Sequence, residues 1–342
     1  MQYGSLQEFC AQPSSPICNI FALRPPAKCI IMGESISGGT VRLVNIGDFV
    51  ISTLSIIIIA YVCFRIKGKL SGVGRQEFSY IYLLYTGVLV CQILSIDWYF
   101  KDVSPWIACI HVALTIATFW CLLLNALIAF QIFPDGSRVS LTVLLMSTFL
   151  VFVGSLYITL DTRIGLTSAL LPLDGRGGLV SPALFTLYIT FPLVAISVYL
   201  FCQTLLVLWF LTIRRPLAFL YGSLVCFVLG QVFLLLVSQP LCESSNESMD
   251  ALMFTTAFNT TSLCLLYIYW AAVTAGKLCG QLVVISLVPS GHVGKWSTLD
   301  TYNYGHLWLI TSWPRLIFRV LPPFFLTYVD EWDEYETVQL KH

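Results

Sequence analysis

Charge is scarce in this sequence. Asp, Glu, Lys and Arg together make up 11% of the 342 residues, where an ordinary soluble domain carries roughly 25%. A soluble chain of this length needs more charge to cover its surface, so a soluble globular domain is excluded. Eighteen basic residues balance eighteen acidic ones, which removes the basic surface that nucleic-acid binding requires. Recognisable chemistry is missing too. The chain has no Gly-rich phosphate loop, no nucleophile elbow, no paired-carboxylate site and no His/Cys cluster at metal-ligand spacing. The reading is therefore non-enzymatic, with no catalytic residue, no cofactor, no metal and no small-molecule substrate expected.

What the chain has instead is apolar sequence in long runs. Hydrophobic residues make up 57%, and the mean hydropathy is +0.83. Asp, Glu, Lys and Arg are absent from 78–96, 103–134, 139–160, 177–213, 216–242 and 251–276, and 43–64 holds only Asp48. Crossing about 30 Å of hydrocarbon takes some 20 apolar residues in a helix. Each run holds one such helix, with spans expected at 43–64, 79–97, 106–131, 139–160, 184–210, 217–239 and 251–273. A barrel would alternate apolar and polar residues, and these runs do not. The fold class is an all-α polytopic membrane protein with about seven transmembrane helices.

Orientation follows from the basic residues. With the N-terminus outside, the inner loops hold Arg65, Lys67, Lys69, Arg75, Arg138, Arg214 and Arg215, and the outer loops only Lys101, Arg163 and Arg176. This bias places the N-terminus in the lumen and the C-terminus in the cytosol. Residues 1–40 contain Glu8, four prolines and no clean apolar core, so no cleavable signal peptide is expected and the first span anchors itself. The organisation reads as a lumenal Cys-containing segment (1–42), a transmembrane domain (43–274) and a cytosolic or interfacial tail (275–342). Within the tail, 280–329 mixes apolar runs with Trp296, Trp308, Trp313, Pro314, Pro322 and Pro323. That stretch reads as an interfacial segment, an eighth poor span or an artefact of the gene boundaries.

In this topology Cys10, Cys18, Cys29 and Cys242 share the oxidising side and are candidate disulfide partners, with the pairing open. Asn246, in an Asn-Glu-Ser sequon of the loop after the sixth span, is the candidate glycosylation site. The second sequon, at Asn259, falls inside the seventh span. Ionisable groups within spans are few: Asp48, Asp97 and His111. All three are read as structural, with Asp97 interfacial and Asp48 possible at either interface or interior. The amides Asn45, Gln92, Asn125, Gln131, Gln203, Gln231 and Asn259 suit hydrogen bonds between helices. Pro192 interrupts the fifth span, and the other spans show no counterpart.

Five stretches carry a resemblance. EFCAQPSSPIC (8–18), GVGRQE (72–77), LNALIAFQIFPDGS (124–137), FVLGQVFLLLVSQPLC (227–242) and MDALMFTTAFNTTSLCLLYIYW (249–270) occur in this order along about four-fifths of the chain. Together they resemble the fungal chitin synthase export chaperone family. The resemblance implies a multi-pass protein of the endoplasmic reticulum membrane. Such a protein helps a polytopic chitin synthase fold and leave that compartment, and so supports cell-wall chitin. The positions that match the family pattern are Cys10, Cys18, Gly74, Arg75, Glu77, Asn125, Gln131, Asp135, Gly136, Gly230, Gln231, Cys242, Asp250 and Trp270, read as structural or partner positions. The expected partners are a chitin synthase and the bilayer. The stretch 277–329 departs from the family, whose tail is usually polar.

Two other readings share the topology. A seven-span receptor would end its third span on an Asp-Arg-Tyr-like motif, and this one ends Phe130-Gln131-Ile132-Phe133. A small transporter would repeat its broken helices at matching positions.

Overall fold

The computed structural model describes residues 4–6, 9–10, 15–21, 34–36, 41–43, 45–69, 74–99, 103–129, 137–165, 167, 180–210, 214–245 and 250–287. In 34–36, 41–43, 97–99, 210, 242 and 275–287 only the backbone path is described. Cys29, Gln131, Asp135, Gly136, Asn246 and the tail beyond Leu287 lie outside the described residues. The chain divides into two units, Met1–Gly280 and Gln281–His342.

Seven helices are long and apolar enough to cross a membrane: α1 (Ile46–Gly68), α2 (Arg75–Ile96), α3 (Ser104–Ile128), α4 (Arg138–Ile164), α5 (Pro182–Trp209), α6 (Arg215–Leu241) and α7, whose spanning part is Leu252–Thr274. Local sequence sets their ends. The Asn45 side chain accepts from the Asp48 amide at 3.0 Å and caps α1, and Ser137 caps α4 in the same way, satisfying amides that helix starts leave orphaned. Proline opens α3, α5 and α6, where its missing N–H costs nothing. Gly165 ends α4 in the left-handed region, with φ at 66°. Each helix stays within a few residues of the expected span.

Large apolar side chains cover the outside. Leu83, Phe149, Leu150, Phe201, Trp209 and Leu236 are each more than 55% exposed. That pattern suits contact with lipid tails, which are as apolar as leucine.

The N-terminal segment is part of the core. Leu6, Ile17, Cys18 and Ile20 are fully buried and cluster with Ile96 of α2, Cys109 and Val112 of α3, Leu184 of α5, Leu234 of α6 and Leu252 of α7. Asn19 donates to the Ser95 carbonyl, Arg163 at the end of α4 donates to the Ile20 carbonyl, and Ser181 donates its amide to the Gly4 carbonyl. The segment therefore caps the end of the bundle where even-numbered helices finish and odd-numbered ones begin. Three short antiparallel strands belong to the same end: β1 (Glu34–Ile36), β2 (Val41–Leu43) and β3 (Trp98–Tyr99), in the order β1-β2-β3. They are an addition to the helix-only expectation, and they tie the entry of α1 to the exit of α2.

Three helices widen to a π turn at this capped end: α2 over Ile93–Asp97, α5 over Thr186–Thr190 and α6 over Phe233–Val237. Two have a covalent reason. A proline cannot donate to the carbonyl four residues back, and its ring collides with that carbonyl. For Pro192 that carbonyl belongs to Tyr188, and for Pro240 to Leu236, each inside a π turn. Pro192 thus has a counterpart in Pro240, which corrects the reading of a lone interruption. Nothing in the sequence marks the π turn of α2.

Candidate functional site

The polar interior has three parts. The first is a ladder joining α1, α2 and α7. Asp48, in the first turn of α1, is fully buried within the bundle. Its Oδ2 accepts from Gln92 Nε2 at 2.8 Å and from Ser52 at 3.4 Å, and its Oδ1 accepts from Thr256 Oγ1 at 2.9 Å. Gln92 also donates to Thr256 Oγ1 at 2.9 Å. One turn further in, Thr260 Oγ1 donates to Ser55 Oγ at 2.9 Å and lies 3.3 Å from the Tyr85 hydroxyl. Removed from water, such groups are stable only when partnered, so this ladder fixes how the three helices meet. Gln92 does what the sequence suggested of it. The hydroxyls of Ser52, Ser55, Thr256 and Thr260 were not foreseen, because a serine or threonine in a helix more often bonds to its own backbone. Only the neighbouring helix shows otherwise.

The second part is a central cavity of about 370 Å³ between α2, α3, α5, α6 and α7. Phe9, Ser15 and Pro16 of the N-terminal segment form its lid, and its wall mixes leucine, isoleucine and phenylalanine with serine, threonine and tyrosine hydroxyls. His111, read as structural, faces this cavity. It is only 4% exposed, and neither ring nitrogen has a hydrogen-bond partner. Gln231 and Asn259 also line the wall, and the buried Asn259 Oδ1 is without a partner.

The third part lies at the opposite end of the bundle. A pocket of about 40 Å³ brings Gly74, Asn125, Gln203 and Trp270 together. Trp270 stacks on Phe78 with ring centroids 5.2 Å apart and an interplanar angle of 13°. Tyr269 donates to Gln203 Oε1 at 2.9 Å, linking α7 to α5. Buried Glu77 accepts from Ser140 Oγ at 3.1 Å, linking α2 to α4. Arg75 donates to the carbonyls of Lys67 and Lys69 and closes the turn from α1 to α2. Gly74 precedes α2 with φ at 62°, a conformation that glycine adopts without strain.

The remaining positions are dispersed. Gly230 lets α6 touch α7: an added Cβ would meet Asn259 Oδ1 at 3.1 Å and Phe258 Cβ at 3.3 Å. The Gly230 carbonyl accepts from Thr255 at 3.0 Å. Asp250 accepts from Ser238 at 3.3 Å across the α6–α7 connection. Asn45 caps its own helix instead of bridging two. Cys10 and Cys18 form a disulfide with Cα atoms 5.5 Å apart. Cys242 follows α6 directly, in the helical turns that run on to Ser244. Among the described residues, no three His, Cys, Asp or Glu side chains gather where they could hold a metal ion.

Comparison with known proteins bears on this arrangement. Residues 2–282 match the family model described as "Chitin synthase export chaperone". Relatives of that name occur in Chaetomium globosum, 26% identical over 81% of this chain and 84% of the relative. Another, from Aspergillus oryzae, is 29% identical over 81% and 85%. A third, from Cryptococcus neoformans, is 24% identical over 81% and 76%. No solved structure matches the chain significantly.

Proposed function

This chain belongs to the chitin synthase export chaperone family, and on that premise we propose that it holds a chitin synthase in the endoplasmic reticulum membrane until folding is complete and so permits its export. The observation that carries the reading is the family match across all seven spans. The protein makes no chitin itself in this reading. A polytopic client exposes polar groups to lipid until its helices assemble, each at a cost of several kcal/mol. A rigid seven-helix partner can shield them meanwhile.

In the same reading the capped end faces the lumen. Arg65, Lys67, Arg75, Arg138, Arg214 and Arg215 all belong to the opposite end, which supports a cytosolic placement for it. Removing this protein should leave a tagged chitin synthase in the endoplasmic reticulum and lower wall chitin, with the synthase transcript unchanged. Microscopy of the tagged synthase with and without this protein reads the outcome. Normal arrival of every chitin synthase at the cell surface would overturn the proposal.

A further inference from the structure

Gln231 differs from the other two glutamines placed in the spans. Gln92 donates to Asp48 and Thr256, and Gln203 accepts from Tyr269. The Gln231 side chain makes no hydrogen bond among the described residues. The unpartnered atoms of His111 and Asn259 are sealed inside the bundle, whereas Gln231 is half-buried and lines the cavity, so a second molecule can reach it. It stands ten residues from the capped end of α6, about 15 Å along the helix at 1.5 Å per residue. At that depth water is absent, and an amide needs a partner from elsewhere.

The cavity opens sideways at the same level. On α5, Leu193, Ile196 and Leu200 line it at the spacing of one helix face. Thr204 continues the row and meets Tyr221 of α6, with the hydroxyl oxygens 3.1 Å apart. The row therefore faces α6. Leu193 lies eleven residues from the capped end of α5 and is 60% exposed although it lines the cavity. The two helices are thus fastened near their connection and part at the level of Leu193 and Gln231. Pro192, beside Leu193, removes a ladder bond of α5 at this place.

Size and charge select the occupant. A volume of about 370 Å³ is too small for two turns of a helix some 10 Å across. It is enough for about two aromatic side chains, since an engineered cavity of ~150 Å³ takes one benzene. Among the described residues, no Asp, Glu, Lys or Arg lines the cavity, so a charged group would find no counter-charge there. A lipid tail would fill the space and leave the Gln231 amide, both donor and acceptor, unpaired. An uncharged polar side chain meets both demands.

We propose that the slot between α5 and α6 docks a transmembrane helix of the client, which inserts one or two side chains into the cavity and hydrogen-bonds Gln231 through an uncharged polar group. The inference rests on the export-chaperone reading above. The test puts a benzophenone amino acid into the full chain at Leu193 or Leu200, or at Phe149 or Leu150 on the exposed face of α4, in cells that make a tagged chitin synthase. The probes at Leu193 and Leu200 should crosslink to the synthase, and those on α4 only to lipid. With the Leu193 probe, Gln231→Leu should lower the yield about threefold, the loss of one average hydrogen bond in a membrane protein. Gln231→Asn, which keeps an amide, should lose less. Should Gln231→Leu fail to fold, the crosslink map of the chain with Gln231 intact decides. Lipid alone or nothing captured at Leu193 and Leu200, synthase captured as strongly from α4, or an unchanged yield from folded Gln231→Leu would each overturn the inference. Cells lacking this protein separate the two readings. A retained synthase with silent α5 probes removes the slot and keeps the export reading, and a synthase that reaches the surface normally removes both.

Discussion

Gln92 donates its side-chain amide to Asp48 at 2.8 Å, joining α2 to α1 through two buried residues 44 apart in sequence. Thr256 reaches the same carboxyl from α7. Helices α1, α2 and α7 are therefore registered by one acidic side chain.

Asp48→Leu should remove that register. It removes the acceptor that Gln92, Ser52 and Thr256 share and leaves the Gln92–Thr256 bond as the link between α2 and α7; hydrogen bonds to a charged group contribute about 1.5–3 kcal/mol. Asp48→Asn keeps both an acceptor and the shape, and should cost less than about 1 kcal/mol, near the average for a hydrogen bond within a membrane protein. Thermal unfolding in detergent, followed by size-exclusion chromatography, should rank the unmodified protein, Asp48→Asn and Asp48→Leu in that order. Equal Tm values for the two variants would show the ladder to be dispensable.

Gly230→Leu should separate α6 from α7. The space at Gly230 is bounded by Asn259, Phe258 and the Thr255 carbonyl within 3.4 Å of an added Cβ. Overpacking of this kind costs about 1–3 kcal/mol. Gly230→Ala should be milder, since only the Cβ must be accommodated. The expected readout is a lower yield of monodisperse protein for leucine than for alanine.

Cys10→Ser and Cys18→Ser should each destabilise the lid equally, and the double variant no further, because both remove one bond. A loop this short contributes about 2–3 kcal/mol in the chain-entropy picture. Mass mapping under non-reducing conditions should recover a linked Cys10–Cys18 peptide; free thiols at both positions would refute it.

Asn246 should carry the glycan. In the proposed orientation its loop faces the lumen, whereas Asn259 lies in the membrane-spanning part of α7. Endoglycosidase should shift the mobility of the unmodified protein and leave Asn246→Gln unchanged. A shift that persists in Asn246→Gln would place the glycan elsewhere.

The seven spans were legible because charge marks their limits. A run without Asp, Glu, Lys or Arg, about 20 residues long, has few other uses. Gln92 and Gln203 were legible as helix-bridging amides for the same reason: a polar group in lipid needs a partner. Asp48 was not, since its distance from the end of the span does not say whether the helix turns it inward. The Ser and Thr rungs depend on which helix lies alongside, a matter of tertiary packing. Pro240 was overlooked because it falls one residue past the expected end of its span. The lid was hidden in a proline-rich stretch without periodicity, whose apolar residues find their partners only once the bundle exists.

That lid sets a timetable for synthesis. Leu6 and Ile20 leave the ribosome first, yet they pack against Leu184, Leu234 and Leu252, and Ser5 pairs with Val180. Contacts so distant in sequence form slowly. The earliest residues made must wait, unplaced, until α7 has been inserted, so every copy spends its synthesis with the cavity unroofed. A helper of membrane-protein assembly is by this reckoning itself a late finisher, closed only by the part of it that was born first.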